Sequence, residues 1–384
     1  MKVLMDFRKY DGVVGGVEQG AIQVTKYLGA NGHAAVLICK KSRLDQVKEI
    51  FKGLDNLKII PLDVNTHSMT SENALLDSTT IQDIAVEEKA DVIHFFYNWS
   101  FPENKKVPCV LTVHDVIPFT FREAQKLFIN LFKYKPGIRK ACRLNDIITT
   151  VSEFSRQDIA QKVGVSLSKI KVVHNGLRVP CPEDKDFEKE LAEKLDLFPR
   201  FILNVGGIHE RKNIVRLIES FASLVNKHGY AGKLVITGKV SGAPYQEKMK
   251  KLCDKAIADN KMTDRVIFTG FTSEKELDSL FRMADLLIYP SLYEGFGIPI
   301  LEAMKIGTPV ITSNVTAMPG VAGDAGLIVD PYNVKDMTEG MLKIINDQKL
   351  REEFKEKGFK RSESFTWEKT AKEYLEVYKE VISK

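Results

Sequence analysis

Two glutamates separated by seven residues, Glu294 and Glu302, have the chemistry and the spacing to hold one ligand at two points. A Gly-Phe-Gly loop lies between them, followed by an apolar helix start that carries Pro299 in its first turn. The preceding residues, 285–291, predict a short buried strand and a turn. Glycines let backbone N–H groups approach a ligand, and a helix N-terminus favours negative charge. The pattern therefore predicts a phosphate-and-sugar site, with Glu294 in the loop and Glu302 inside the helix.

Two adjacent cations, Arg211 and Lys212, follow a glycine turn at residues 206–207, which itself follows a predicted strand. Arginine can donate a planar fork of hydrogen bonds and lysine a point charge, a combination that suits a diphosphate. The sequence predicts that both stand at the start of a helix. Because cations there oppose the helix dipole, a purely structural role is disfavoured. The pair therefore predicts a second anion-binding element.

Two further features lie at predicted strand ends in the N-terminal half. Gly15 and Gly16 open a helix and let the backbone approach a phosphate, although a tight strand-to-helix turn also uses glycine. His114 follows a buried strand, next to Asp115, at the edge where open parallel sheets bind ligands. A lone histidine is more often a hydrogen-bonded structural residue than a catalyst, so both interpretations of His114 stay open.

The composition is typical of a globular protein of two ordinary domains. The chain has 384 residues, of which 44% are hydrophobic and 28% charged. A net charge of +5 requires no nucleic-acid partner. Five scattered cysteines without a C-x-x-C pair indicate reduced thiols in a cytoplasmic protein, not a disulfide framework or a zinc site. The N-terminus predicts a strand, not a signal peptide, and no apolar run reaches the roughly 18 residues that span a bilayer.

Strand-like and helix-like segments alternate along the chain, which predicts an α/β protein with parallel sheets covered by helices. A charged, proline-bounded segment, 180–199, is interpreted as an interdomain linker that contains a short helix. The tail after Phe365 predicts an amphipathic helix that runs to Ile382. Predicted strands lie at residues 2–7, 34–39, 92–96, 109–113 and 147–151 in the first half, and at 201–206, 233–237, 266–269, 286–289 and 309–312 in the second.

The segment from Asp285 to Ile311 resembles the E-x7-E signature of the retaining glycosyltransferases with the GT-B fold, the large family numbered four. The resemblance covers most of the chain and is strongest from Phe201 to Ile311. It implies two Rossmann-like domains that face each other across a cleft, with a C-terminal helix crossing back to the first domain. The expected boundaries are 1–178 for an acceptor-binding domain, 179–199 for the linker, 200–364 for a nucleotide-sugar-binding domain and 365–384 for the helix.

The resemblance also implies roles for single residues. Glu302 would bind the ribose hydroxyls of a nucleotide sugar, Glu294 and His114 would contact the transferred sugar, and Lys212 and Arg211 would stabilise the departing diphosphate. Many members have the arginine directly after the glycine pair, where this chain has Ile208. The implied catalytic set is Glu294, His114, Lys212 and Arg211, and the implied donor-binding set is Gly15, Gly16, Gly207, Gly270, Phe271, Gly295, Phe296, Gly297 and Glu302.

The function that this resemblance implies is transfer of mannose or a related hexose to a hydroxyl of a glycan or lipid-linked glycan. The donor would be a nucleotide diphosphate sugar, with a GDP-sugar favoured over a UDP-sugar, and the anomeric configuration would be retained. No metal and no cofactor are expected, and no nucleic acid is expected as a partner. Two alternatives are a UDP-sugar epimerase of the same fold and a non-catalytic nucleotide-sugar-binding protein.

Two other charged segments have competing interpretations. Asp184 and Asp186 form a D-x-D string of the kind that binds metals in other transferases, but they lie in the charged linker, so no metal is expected there. Residues 121–143 carry seven basic side chains against one acidic, with apolar residues between them. This segment is interpreted either as a contact for an anionic membrane surface or a lipid-diphosphate acceptor, or as a surface helix with a solvated basic face. The expected location is the cytoplasm, with peripheral attachment at the inner face of the membrane if the first interpretation holds.

Overall fold

Two parallel β-sheets, one in each half of the sequence, organise the chain. The structure is a computed structural model that describes residues 1–64, 70–121, 129–238 and 244–384. The described residues form two compact units. The first contains the chain up to Thr120, the stretch from Ile129 to Gly176, and the C-terminal segment Phe365–Lys384, and the second contains Leu177–Ser364.

The sheet of the first unit has seven parallel strands in the order β3-β2-β1-β4-β5-β6-β7. The order reverses between β1 and β4, and such a switch point places a crevice outside the carboxyl ends of the strands. The central strands are buried along nearly their whole length, as expected for a sheet with helices on both faces. The strands are β1 (Lys2–Asp6), β2 (Ala34–Lys40), β3 (Leu57–Leu62), β4 (Val92–Phe95), β5 (Cys109–Thr112), β6 (Ile147–Thr150) and β7 (Ile170–Val172).

The helices of the first unit connect these strands. Asn145 follows the helix Ile129–Leu144, and its side-chain amide donates to the Ser100 and Ala141 carbonyls at 3.2 and 2.8 Å. Ser152 caps the helix Glu153–Ile159 by accepting from the Ser155 N–H. The helices are α1 (Gly16–Ala30), α2 (Leu44–Ile50), α3 (Ser71–Ser78), α4 (Thr80–Glu87), α5 (Ile129–Leu144) and α6 (Glu153–Ile159).

The second unit contains six parallel strands in the order β10-β9-β8-β11-β12-β13, with its switch point between β8 and β11. Its strands are β8 (Phe201–Val205), β9 (Lys233–Thr237), β10 (Val266–Gly270), β11 (Leu286–Tyr289), β12 (Val310–Ser313) and β13 (Leu327–Val329). Its helices are α7 (Lys185–Lys194), α8 (Ile214–His228), α9 (Pro244–Asp259), α10 (Glu274–Met283), α11 (Ile298–Ile306), α12 (Met318–Ala322), α13 (Val334–Asn346) and α14 (Gln348–Ser362). The short helix predicted within residues 180–199 is α7, and it belongs to this unit.

The last helix, α15 (Trp367–Ile382), returns to the first unit, which confirms the prediction made for the C-terminal segment. Its apolar face is buried in the same core as α1. The Tyr378 side chain also belongs to a buried chain of polar groups: its hydroxyl lies 2.7 Å from Nδ1 of His94, whose Nε2 lies 2.8 Å from the Thr112 hydroxyl. Among the residues that the structure describes, none of the helices combines the length and the apolar character that a bilayer crossing requires.

Candidate active site

Glycine loops meet at the carboxyl edge of the sheet in the second unit. The N–H groups of Gly206 and Gly207 donate to the Thr237 carbonyl at 3.1 and 2.8 Å, and the Gly238 N–H donates to the Gly270 carbonyl at 2.8 Å. A Cβ on Gly238 would lie 2.1 Å from the Gly207 nitrogen, so a side chain there would collide with backbone. These loops are therefore packed as closely as backbones allow, and they form a compact floor of peptide groups at the ends of β8, β9 and β10.

The two cations lie immediately after this floor, in a short 3-10 helix that spans Glu210–Lys212. Asn213 follows in the left-handed region, with φ +61°, and its amide nitrogen donates to the Pro290 and Pro331 carbonyls at 3.2 and 2.6 Å. This anchored residue separates the short helix from α8. The prediction that the cations start the long helix was wrong by one turn, because Asn213 breaks the helix between them and Ile214.

Arg211 and Lys212 share the carboxylate of Glu294. Arg211 Nη1 and Lys212 Nζ lie 2.5 and 2.8 Å from the same oxygen, Oε1 of Glu294. Lys212 also donates to the Tyr289 hydroxyl and lies over the ring of that residue, 4.4 Å from its centre. Two cations on one carboxylate leave a residual positive charge, so the cluster can attract an anion.

The cluster is largely buried, and burial shifts the protonation equilibria. Burial alone would raise the pKa of Glu294, but the charges of Lys212 and Arg211 outweigh it and lower that pKa. Burial, with the Glu294 charge, raises the pKa of Tyr289 well above its ordinary value. A Cβ on Gly206 would lie 2.7 Å from Lys212 Nζ, so the glycine leaves room for the lysine side chain. Glu294 is therefore an ionised, cation-held carboxylate and Tyr289 a neutral hydrogen-bonding group.

The Gly-Phe-Gly loop leads from this cluster into α11. The Glu294 N–H donates to the Thr316 hydroxyl at 3.2 Å, and Gly297 precedes the helix with φ +107°, a conformation that favours glycine. The Phe296 side chain is buried, so it is the backbone of Gly295 and Phe296, and not the ring, that can line a ligand site. At the end of β10, Gly270 has φ +73° and Phe271 is 77% exposed. An exposed aromatic ring at a strand end can stack on a planar ligand.

Glu302 belongs to a second charged cluster, which the sequence did not reveal. Its Oε1 accepts from Nε of Arg178 at 3.1 Å, and the same guanidinium binds both carboxylate oxygens of Asp278 on α10. Burial raises the pKa of Glu302, and the charge of Arg178 opposes that effect. The two glutamates thus have different partners, Glu294 with two cations and Glu302 with one arginine that it shares with Asp278.

The remaining predicted residues lie in the first unit. His114 is half-buried, and its Nε2 lies 3.3 Å from the Phe96 carbonyl oxygen, which makes Nε2 the protonated nitrogen and Nδ1 an acceptor. Burial, opposed by that hydrogen bond, lowers the pKa of His114 to about 4. Gly15 precedes α1 with an ordinary extended backbone, φ −100°, and its N–H donates to Glu18 at 3.0 Å. A Cβ at position 15 would lie 3.0 Å from Oε2 of Glu18, so glycine there leaves room for the carboxylate that accepts from its N–H.

The D-x-D string has a structural explanation. Asp184 caps α7 by accepting from the Phe187 N–H at 3.1 Å, and it pairs with Lys275 at 2.8 Å. Across the described ranges, no three histidine, cysteine, aspartate or glutamate side chains are grouped in a way that could hold a metal ion.

The basic segment 121–143 is described only in part, and residues 122–128 lie outside the described ranges. In its described part, Arg139 Nε donates to the Val163 carbonyl at 2.7 Å, Lys140 pairs with Glu103, and Lys135 lies over the Phe119 ring. Three of the basic side chains therefore already have partners within the first unit. Contact of this segment with a membrane stays a prediction.

Two family models match the chain in succession. The model described as Glycosyltransferase Family 4 matches residues 14–179, and the model described as Glycosyl transferases group 1 matches residues 182–361. Among curated relatives, the O-antigen chain mannosyltransferase B of Escherichia coli is 28% identical, over 77% of this chain and 76% of the relative. The serotype-specific mannosyltransferase WbdA of Escherichia coli is also 28% identical, over 76% of this chain but only 37% of that longer protein.

Solved structures show the same fold over nearly the whole chain. A glycosyltransferase from Rickettsia africae ESF-5 superposes with a TM-score of 0.75 at 20% identity, covering 99% of this chain and 98% of that one. Alr3699/HepE of Anabaena, in complex with UDP and glucose, superposes with a TM-score of 0.73 at 18% identity, covering 98% and 99%.

Proposed function

Because this chain belongs to glycosyltransferase family 4 and has the GT-B fold, we propose that it transfers mannose or a related hexose from a nucleotide diphosphate sugar to a glycan hydroxyl. The observation that carries the proposal is the pair of cations, Arg211 and Lys212, on the carboxylate of Glu294. Relatives named as mannosyltransferases support the choice of sugar, and those named for the O-antigen chain support a polysaccharide or lipid-linked acceptor. They also favour transfer over epimerisation or binding without turnover.

The departing diphosphate is the group that needs stabilisation. As the bond between the anomeric carbon and the phosphate oxygen breaks, negative charge grows on the diphosphate. Arg211 and Lys212 retain a positive charge in excess of Glu294, and they stand directly after the packed glycine loops at the ends of the strands. We propose that these groups supply the stabilisation that a metal ion provides in other transferases, so that the reaction proceeds with EDTA present.

Glu294 then holds the sugar and does not attack it. A carboxylate that is bound by two cations has a lowered pKa and little nucleophilicity. We propose that the acceptor oxygen bonds to the anomeric carbon on the face from which the diphosphate leaves, and that the departing phosphate takes the acceptor proton. The configuration would be retained without a glycosyl–enzyme intermediate, and a covalent sugar adduct on Glu294 would refute this mechanism.

The nucleotide base of the donor is the next part of the proposal. A GDP-sugar is our first candidate because curated relatives of this chain are named mannosyltransferases, and a UDP-sugar is the second because a structural relative binds UDP. Phe271, exposed beside Gly270, is our candidate for stacking on the base. In the first unit, Nδ1 of His114 is available to accept a hydrogen bond from a sugar hydroxyl, and Gly15 and Gly16 can approach a phosphate closely.

Membrane attachment through the basic segment is a separate proposal about location at the inner face of a membrane. Cosedimentation with anionic vesicles tests it, with four of the seven basic residues neutralised. Arg139 and Lys140 should be left intact, because they already bond to Val163 and Glu103. Undiminished vesicle binding by that variant would contradict the proposal.

The experiment that tests the function is a donor panel. Purified protein is incubated with GDP- and UDP-sugars in the presence of EDTA, and nucleotide diphosphate release is measured together with the shift of the unfolding temperature. We expect one donor to raise the unfolding temperature and to release its diphosphate, faster when a lipid-linked saccharide is added. Absence of both effects with every donor would contradict the proposal, and release that depends on added divalent metal would contradict its metal-independent form.

A further inference from the structure

Arg178 connects the start of the second unit to two acidic residues on different helices. Its Nη1 donates to Asp278 Oδ2 at 2.8 Å, its Nη2 bonds to Asp278 Oδ1, and its Nε donates to Glu302 Oε1 at 3.1 Å. The Asp278 side chain on α10 is fully buried, and those of Arg178 and Glu302 are 16% and 15% exposed. The three side chains form one partly buried, hydrogen-bonded group.

The geometry makes Arg178 a rigid partner for Glu302. A guanidinium whose Nη1 and Nη2 both bind the same carboxylate is fixed in plane and direction. Its Nε–H is then aimed at one oxygen of Glu302. In the described part of the chain, the other oxygen, Oε2, accepts no hydrogen bond. Arg178 therefore holds the carboxylate by one oxygen and leaves the second to accept from a ligand.

The charges around Glu302 show why it needs this partner. Burial raises its pKa, and the negative charges of Asp278 and Glu274 on α10 act in the same direction. Two cations oppose them: Arg178 by direct contact, and Lys305 on α11, whose Nζ donates to the Arg178 carbonyl at 2.9 Å. Without Arg178, Glu302 would lose the cation that it contacts while the neighbouring carboxylates remained.

We propose that Arg178 is a positioning residue for nucleotide recognition: it orients Glu302 so that Oε2 accepts from the ribose hydroxyls, and it thereby sets the preference for ribonucleotides over their dideoxy counterparts. This rests on the proposed function and on the role that the family resemblance implies for Glu302, which is to bind the ribose of the donor. Neither the E-x7-E spacing nor the pair of cations at Glu294 implies a role for this arginine.

A matched control exists on α10. Arg282 also holds the segment that follows Arg178, because its Nη2 donates to the Cys181 carbonyl and its Nη1 lies 3.7 Å from Glu188. In the described part of the chain, no hydrogen bond or ion pair joins it to Glu302, so Arg282→Met loosens the segment without changing the carboxylate. If Arg178 only anchored the chain, the two arginine variants would behave alike.

The test is titration calorimetry on the full chain with GDP, UDP and their 2′,3′-dideoxy forms. We expect wild type to prefer the ribonucleotide by about tenfold or more, as a hydrogen bond to a charged group provides. Arg178→Met should lose most of that preference, Arg282→Met should keep it, and Arg178→Lys should recover only part, because lysine cannot form the fork. Thermal unfolding and far-UV dichroism confirm that each variant is folded.

Three results would overturn the inference. If Arg178→Met lowered the affinities for the ribonucleotide and its dideoxy form equally, the ribose preference would be unchanged and Arg178 would only hold the chain segment in place. An equal loss of preference in the Arg178 and Arg282 variants would do the same. If wild type binds GDP or UDP without any ribose preference, Glu302 does not read the ribose and the inference fails while the proposed function stands. If wild type binds neither diphosphate, the proposed function itself fails.

Discussion

Replacing Lys212 by methionine removes one positive charge from the Glu294 cluster while keeping a side chain of similar length. Lys212 is 5% exposed, and its Nζ contacts Glu294 Oε1 and the Tyr289 hydroxyl. In the variant, Glu294 remains paired with Arg211, so the residual positive charge of the cluster disappears but no carboxylate is orphaned. The effect on catalysis and the effect on folding should therefore differ in size.

The expected magnitudes follow from those contacts. Loss of one fixed donor to a developing anion costs on the order of 2.7–4 kcal/mol, or about 100- to 1000-fold in kcat. The cost to folding should be roughly 1–3 kcal/mol, since a hydrogen bond to a charged group is lost while Glu294 keeps its second cation. An orphaned buried charge would cost more, about 3–5 kcal/mol.

Steady-state release of the nucleotide diphosphate measures the first effect, and urea unfolding measures the second. Lys335→Met is the matched control, because the Lys335 side chain is 81% exposed and, among the described residues, its one ion pair is a long contact with Glu339 at 3.6 Å. A folded Lys212→Met enzyme with kcat within threefold of wild type would refute the assignment of Lys212 to the departing diphosphate.

The other expectations concern the glycine floor, the C-terminal helix and pH. Gly238→Ala should weaken nucleotide binding and cost about 1–3 kcal/mol in urea unfolding, because its Cβ meets the Gly207 nitrogen, and unchanged calorimetric affinity would contradict this. Tyr378→Phe should lower the free energy of unfolding in urea by about 1–3 kcal/mol, because it leaves His94 Nδ1 without its hydrogen-bond partner. A decrease of less than about 0.5 kcal/mol would contradict this. The pKa of His114 is about 4 in the folded chain and about 6.5 in the unfolded chain, so on acidification the unfolded chain binds the proton first. The contribution of neutral His114 to the free energy of unfolding is therefore full above about pH 6.5 and is lost towards pH 4. His114→Gln should show a shallower fall in stability over that range, and an unchanged slope in urea unfolding would contradict this.

The sequence predicted the central strands of both sheets and missed three strands at sheet edges. The missed strands are β3, β7 and β13. Edge strands are short or have one exposed side, so they lack the continuous apolar run that marks a buried parallel strand. In β3, Pro61 interrupts the pattern, Lys58 and Pro61 are exposed and no residue is fully buried, while β7 and β13 have three residues each.

The site was predictable where its residues lie in local motifs and not where a partner comes from far along the chain. The glutamate spacing and the adjacent cations both marked their loops, and the structure brings Glu294 to Arg211 and Lys212. Arg178 lies 124 residues from Glu302, in a stretch whose pattern predicts only a turn and a linker. One signal was available: a glutamate on the buried side of α11 needs a cation, although the pattern does not say which one.

The two charged clusters of the second unit have opposite residual charges, which suggests independent tasks. Two cations and one carboxylate surround Glu294, whereas Arg178 stands between two carboxylates, Asp278 and Glu302. An excess of positive charge suits a diphosphate, and a carboxylate oxygen suits a hydroxyl donor. Because no side chain is shared between the clusters, the binding losses of Lys212→Met and Arg178→Met should add in the double variant. Calorimetry with the preferred diphosphate would contradict this division if the measured coupling exceeded about 0.5 kcal/mol.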